Sequence, residues 1–294
     1  MKKIFFFFMF FSFLPLSLFS KDSPEQILQF GNHLYQEEDY YRAITEYKRF
    51  LYFYPKHPQN SHTEFQIGYS YLKGEKWEAA LPYFQKLSTD FPHTRLGENS
   101  FFSIAHTHFL SKKYKAAQET WNEFQERYPK SSLNDIAWYQ KGWAYFFQEK
   151  TKEATQELSL IKNPSLKNKA MLLSTEIEKW HTLPYRSPFL AGMFSAMLPG
   201  LGQWYDGRFW DGMSALVVNS MFAYGIYATW RDEHYVAFGI VTFLASGFYG
   251  GNIFSAVSSA HKFNRNVKES KWQILQKKYG VNLEWNGNSL TIKF

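Results

Sequence analysis

Small residues return along this chain every 37 positions: Gly31, Gly68, Ala105 and Gly142 form one series, and Ala43, Ala80, Ala117 and Ala154 form a second. A period of this length dictates a stack of like units, none of which can bury its own apolar face without a neighbour. Antiparallel helices approach closely only where a side chain is absent or is a methyl group, so the two series mark the crossing points of helical hairpins. Tyr40, Trp77 and Tyr114 open the second helix of each unit, and Tyr47, Phe84, Trp121 and Leu158 follow each alanine by four positions, on the same helical face. Pro55, Pro92 and Pro129, again 37 apart, close the units, because proline cannot continue a helix. Pro82 falls inside a second helix and is expected to kink it.

The order small residue, aromatic, alanine, aromatic, proline resembles the tetratricopeptide repeat. The segments FGNHLYQEEDYYRAITEYKRFLYFYP and IGYSYLKGEKWEAALPYFQKLSTDFP carry it almost position for position. The similarity covers about residues 24–164. Its period is longer than the usual 34 and is similar to the variant found in bacterial envelope proteins, among them outer-membrane assembly lipoproteins and cell-division coordinators. The fourth repeat departs from the pattern, since Thr151 replaces the aromatic and Pro164 arrives two residues early. Residues 165–183 read as an amphipathic helix that caps the stack. The chain contains no cysteine, so the anchoring of the lipoprotein members does not carry over, and disulfides and thiolate zinc sites are excluded.

In such stacks the first helix of each unit lines the concave side. Its groove-facing positions here are Leu28, Asn32 and Tyr35, then Phe65, Tyr69 and Leu72, then Phe102, His106 and Phe109, and finally Tyr139, Trp143 and Phe146. Of these, Phe65, Tyr69, Phe102, His106, Tyr139, Trp143 and Phe146 are the candidate partner-binding residues. The row is aromatic rather than charged, which suits an apolar or aromatic peptide, an amphipathic helix, or the C-terminal part of the same chain. Aromatic residues at helical spacing also build cores between repeats, and both roles remain open for this row.

After Pro184 the composition changes. Between Ser187 and Ala260 the charged residues are Asp206, Arg208, Asp211, Arg231, Asp232 and Glu233. Three apolar stretches result: 188–205, 212–230 and 235–257. The second and third are long enough to span ~30 Å of hydrocarbon as helices, with RDEH at 231–234 as the turn between them. Pro199, Gly200 and Gly202 should break or bend the first, which reads either as a crossing or as a re-entrant segment. The run LPGLGQWYDGRFWDG at 198–212 resembles the P-G-x-G-Q-x-Y motif of small bacterial membrane-hairpin domains of unknown function. That resemblance covers roughly residues 186–260. It supplies no catalytic residue, but Pro199, Gly200, Gly202, Gln203, Tyr205, Asp206 and Arg208 become membrane-motif candidates, either functional or anchoring at headgroup depth. Gly192, Ala196 and Gly200, and Gly247 with Gly251, are spaced for close helix contact, including contact between copies of the chain.

The net charge of +7 would suggest an anionic partner if it lay on a folded face. Divided along the chain it is +2 over residues 1–20, +1 over 21–183, −1 over 184–260 and +5 over 261–294. Basicity is mostly terminal, so nucleic acid is not an expected partner. Residues 1–20 have the layout of a secretory signal peptide, with Lys2 and Lys3 before an apolar run. The repeats are therefore expected to be extracytoplasmic (periplasmic). The tail at 261–294 reads as a basic helix around 266–279 followed by a β-hairpin turning at Asn286-Gly287. Its positive charge is expected to hold it in the cytoplasm, which requires three crossings.

No phosphate-cradling glycine loop, His-Glu-x-x-His or nucleophile elbow occurs, and no metal or cofactor is expected. The fold expectation is an all-α tetratricopeptide helical-hairpin solenoid over 21–183, a helical transmembrane domain over 184–260, and a tail with a short C-terminal β-hairpin. The functional expectation is a non-enzymatic scaffold or adaptor of the bacterial cell envelope, binding a protein or peptide in the repeat groove and anchored in membrane lipid. The alternative gives the membrane domain a lipid-handling, transport or enzymatic activity regulated by the repeats.

Overall fold

The computed structural model describes residues 22–287 and 289–293. The export segment expected at 1–20 lies outside the described residues. The chain forms a tetratricopeptide-type helical repeat solenoid, one long apolar C-terminal helix and a short terminal β-hairpin. It divides into two compact units, one made of residues up to Ala144 together with Leu283–Lys293, the other of Tyr145–Asn282. The division does not follow the composition boundary near 184.

In the first unit the hairpins are α1 (Pro24–Gln36) with α2 (Tyr40–Phe53), α3 (Asn60–Lys73) with α4 (Trp77–Asp90), and α5 (Arg95–Leu110) with α6 (Tyr114–Arg127). Most of α7 (Asn134–Phe147) follows them. Ser23 starts the stack with a capping box, its side chain accepting from Gln26 N while the Gln26 side chain accepts from Ser23 N, and Pro24 takes the first helical position. The small residues sit at the crossings: a Cβ on Gly31 would lie 2.8 Å from the Tyr47 ring, and one on Gly68 would lie 3.1 Å from the Phe84 ring. The helix α4 runs unbroken through Pro82.

Each hairpin closes through the same turn. Glu38, Glu75 and Lys112, again 37 apart, take left-handed φ values of 62, 59 and 61°. In each case that residue's N–H bonds the carbonyl three back and the next N–H reaches five back, as in Glu38 N to Tyr35 O and Asp39 N to Leu34 O. These are Schellman turns, which satisfy the last carbonyls of the first helix. Nothing in the sequence marks them, because the positions hold charged residues rather than glycine.

The first unit ends with β1 (Asn282–Trp285, of which Leu283 onward belongs here) and β2 (Leu290–Lys293). Leu283 and Leu290 join the same buried cluster as Phe65, Tyr69, Phe84, Phe102 and Trp121. Across the turn Asn286 N donates to Ser289 O at 3.2 Å, one residue later than the expected Asn286-Gly287 loop would place the closing pair, and Ser289 N donates to Asn286 Oδ1 at 2.9 Å. The side chain of Asn286 thus closes the connection.

In the second unit α8 (Thr151–Ser159) is short, and Pro164 begins α9 (Pro164–Glu178) beneath an Asn163 cap rather than ending the fourth repeat. A 3-10 turn at Lys179–Thr182 leads towards α10 (Pro188–Met197), α11 (Leu201–Tyr205), α12 (Phe209–Arg231) and α13 (Tyr235–Tyr279). The same left-handed turn recurs at Glu149, Gly207 and Glu233. The expected tail helix is not separate: α13 is a single helix of 45 residues. Its tail half packs on α9, where Lys271 Nζ donates to Glu176 Oε2 at 2.6 Å and Trp272 stacks on Trp180 of the 3-10 turn, with ring centroids 5.3 Å apart. By length and composition α13 is the one described helix long and apolar enough to cross a membrane.

Two observations bear on the expected orientation. The first apolar stretch breaks at Leu198–Gly200, leaving α10 with 10 residues, about 15 Å, against the ~30 Å needed to cross. The hairpin packs within the repeat unit. Tail lysines are ion-paired inside the second unit: Lys268 with Glu149 at 2.7 Å and Lys271 with Glu176 at 2.6 Å.

Candidate functional site

The first candidates of the row lie in α3, where Asn60–Lys73 places Phe65 and Tyr69 one helical turn apart, their rings stacked with centroids at 6.0 Å. The hairpin lies on this pair. Trp285 meets the Phe65 ring at 4.1 Å, and the Tyr69 hydroxyl donates to the Leu283 carbonyl at 2.6 Å. Tyr69 is 2% exposed, so its hydroxyl has no ready access to solvent, and burial together with the nearby Glu284 charge pushes its pKa up. Beside the contact a cavity of about 540 Å³ is lined by Asn32, Tyr35, Tyr40, Gln66 and Lys73 from the repeats and by Glu284 and Trp285 from the hairpin, among others.

The remaining candidates make contacts of their own. Phe102 packs on Trp121 and Phe124 of α6, in the core of its own hairpin. His106 is buried and its Nδ1 lies 3.0 Å from Gln140 Oε1, linking α5 to α7. Burial pushes the imidazole down to about 4, against the opposing pull of the Gln140 hydrogen bond. Tyr139 and Trp143 are buried on α7. Phe146 belongs to the second unit, in an aromatic group with Trp180 at 4.8 Å and Trp272 at 6.4 Å. Sequence reasoning named the aromatic row and offered the C-terminal part of the same chain as one possible occupant, but it did not single out Leu283 or Trp285 as the residues that cover Phe65 and Tyr69.

The membrane-motif residues tie α10 and α11 to α13. Gly200 caps α11 in a left-handed conformation, φ 98°, against the backbone of Gly212. Gly202 sits where Ala191, Ser195 and Ala256 leave no room for a Cβ. Ser195 Oγ donates to Gln203 Oε1, and Gln203 Nε2 donates to Asn252 O, both at 3.0 Å. The Tyr205 hydroxyl accepts from Ser187 N at 3.0 Å, the Asp206 carbonyl accepts from Arg186, and Arg208 pairs with Asp211 at 2.6 Å. Pro199 stands in the break between α10 and α11. Gly192 of the small-residue stripe faces Val257 of the same chain. No cluster of His, Asp and Glu suited to a metal occurs among the described residues.

Residues 59–173, somewhat less than half of the chain, match the family YfiO, described as an outer membrane lipoprotein. The match runs from the second repeat into α9. No curated protein matches the sequence significantly. Similar solved structures include the apo form of RapI, 15% identical, with a TM-score of 0.41 over 81% of this chain and 84% of that one. Another is a tetratricopeptide repeat protein from Parabacteroides merdae, 13% identical, with a TM-score of 0.43 over 86% of this chain and 98% of that one.

Proposed function

We propose that the chain is a non-enzymatic adaptor of the bacterial envelope that holds an extended polypeptide segment on the concave face of its repeats while anchored in a membrane. The observation that carries this reading is that the face already accommodates a polypeptide, through an aromatic contact and a side-chain bond to a backbone carbonyl. The match over residues 59–173 to an outer-membrane lipoprotein family supports the envelope assignment. Membrane anchoring is supported by the large apolar side chains that α12 and α13 leave exposed, among them Met221, Tyr224, Val236 and Phe243. In this reading α13 crosses and α12, less apolar but 23 residues long and so able to span ~30 Å, returns beside it, α10 and α11 lie at the interface, and the repeats and the hairpin share the extracytoplasmic side. A membrane activity is not favoured by the motif geometry, because Gln203 and Tyr205 hydrogen-bond to neighbouring segments of their own unit.

The test is photocrosslinking in cells from an unnatural side chain at Gln36 or Lys73, both at the cavity, against the exposed position Glu123 of α6. Protein adducts from the first two and not the third are expected. Equal adducts from all three would reject the groove.

A further inference from the structure

The docked hairpin has the properties of a ligand as much as those of a core element. A two-stranded hairpin is marginal alone in water, so its order depends on the surface beneath it. Alternation along β1 turns Leu283 and Trp285 to one side: Leu283 enters the cluster of Phe65, Tyr69 and Phe84, and Trp285 covers Phe65. The hydrogen bond from the repeats goes to a carbonyl rather than a side chain, so any extended chain could supply the acceptor. A helix could not do so easily, because its carbonyls are committed to its own ladder. The cavity alongside leaves Tyr35, Tyr40, Gln66 and Lys73 accessible while the hairpin is in place, which gives an incoming segment a foothold before the hairpin has left.

We infer that residues 282–293 are a resident occupant of the groove, exchanged for an extended partner segment bearing an aliphatic and an aromatic residue two positions apart. Partner binding and hairpin docking are mutually exclusive. The inference rests on the groove reading above and adds to it the chemistry of the partner and its regulation. Because the hairpin is part of the same chain, it competes at the high effective concentration of an intramolecular ligand.

The test uses the full chain in detergent and a fluorescent peptide of residues 281–294. A chain ending at Gly280, and an intact chain carrying Leu283→Asp with Trp285→Asp, should bind the peptide about tenfold or more tighter than the unaltered chain. A peptide with both residues changed to Asp should not bind. Equal affinity of all three chains overturns the exchange, as does failure of a truncated chain with unchanged circular dichroism to bind. Unfolding of both altered chains also overturns it, since an occupant the fold cannot lose is core. Crosslinking at Gln36 without peptide competition would keep the adaptor and remove the exchange. Competition without crosslinking would remove the external partner.

Discussion

A Cβ placed on Gly68 would lie 2.9 Å from the Cβ of Tyr83 and 3.1 Å from the Phe84 ring, closer than packed carbon atoms sit. Gly68→Ala is therefore expected to destabilise the first unit by about 1–3 kcal/mol, read as a lowered thermal midpoint. His106 gives a second residue-level expectation. Its folded pKa lies at about 4, below the ordinary value of 6.5, so between these pH values the unfolded chain binds the proton and the folded chain does not. Stability is present in full above about pH 6.5 and is lost as pH falls towards about 4, by up to ~3 kcal/mol. Hydrogen exchange of the α5 amides, corrected for intrinsic rate, should show this loss, and His106→Gln should flatten it; an unchanged slope in the variant would refute the assignment. Both residues were legible as repeat positions. Gln140, the partner of His106, was not, because two polar residues 34 apart leave no periodic trace.

At the scale of elements, the helices of the repeats could be read from small residues and prolines, whereas their closing turns could not. Glu38, Glu75 and Lys112 adopt a conformation that usually favours glycine, and the two turn hydrogen bonds offset its cost. The change from apolar to basic residues near 261 suggested a new helix. No glycine or proline occurs between Asn252 and Tyr279, so nothing interrupts the backbone, and α13 continues until its last turn meets Gly280. Its basic half is held by partly buried pairs such as Lys271 with Glu176, whose side chains are 27% and 24% exposed. A double-mutant cycle with Lys271→Met and Glu176→Gln should give a coupling of about 0.5–1 kcal/mol that shrinks in 1 M salt. Additive effects in thermal melts would contradict it.

For the whole molecule, the expectation concerns sidedness. The chain has no cysteine, so single cysteines report location cleanly. Lys56→Cys in the repeats and Asn286→Cys in the hairpin should react alike with a membrane-impermeant maleimide applied to spheroplasts, while Glu233→Cys between α12 and α13 should react only after permeabilisation. Protection of Asn286→Cys alone would place the tail across the membrane from the repeats. The sequence by itself determined the repeat architecture and the apolar stretches, because both are written in local spacing: a 37-residue period and runs of side chains without charge. The tertiary structure decided what lies on the face that carries Phe65 and Tyr69. A tyrosine hydroxyl bonding a backbone carbonyl 214 residues away uses an atom every residue possesses, so no pattern of residue types could have announced it.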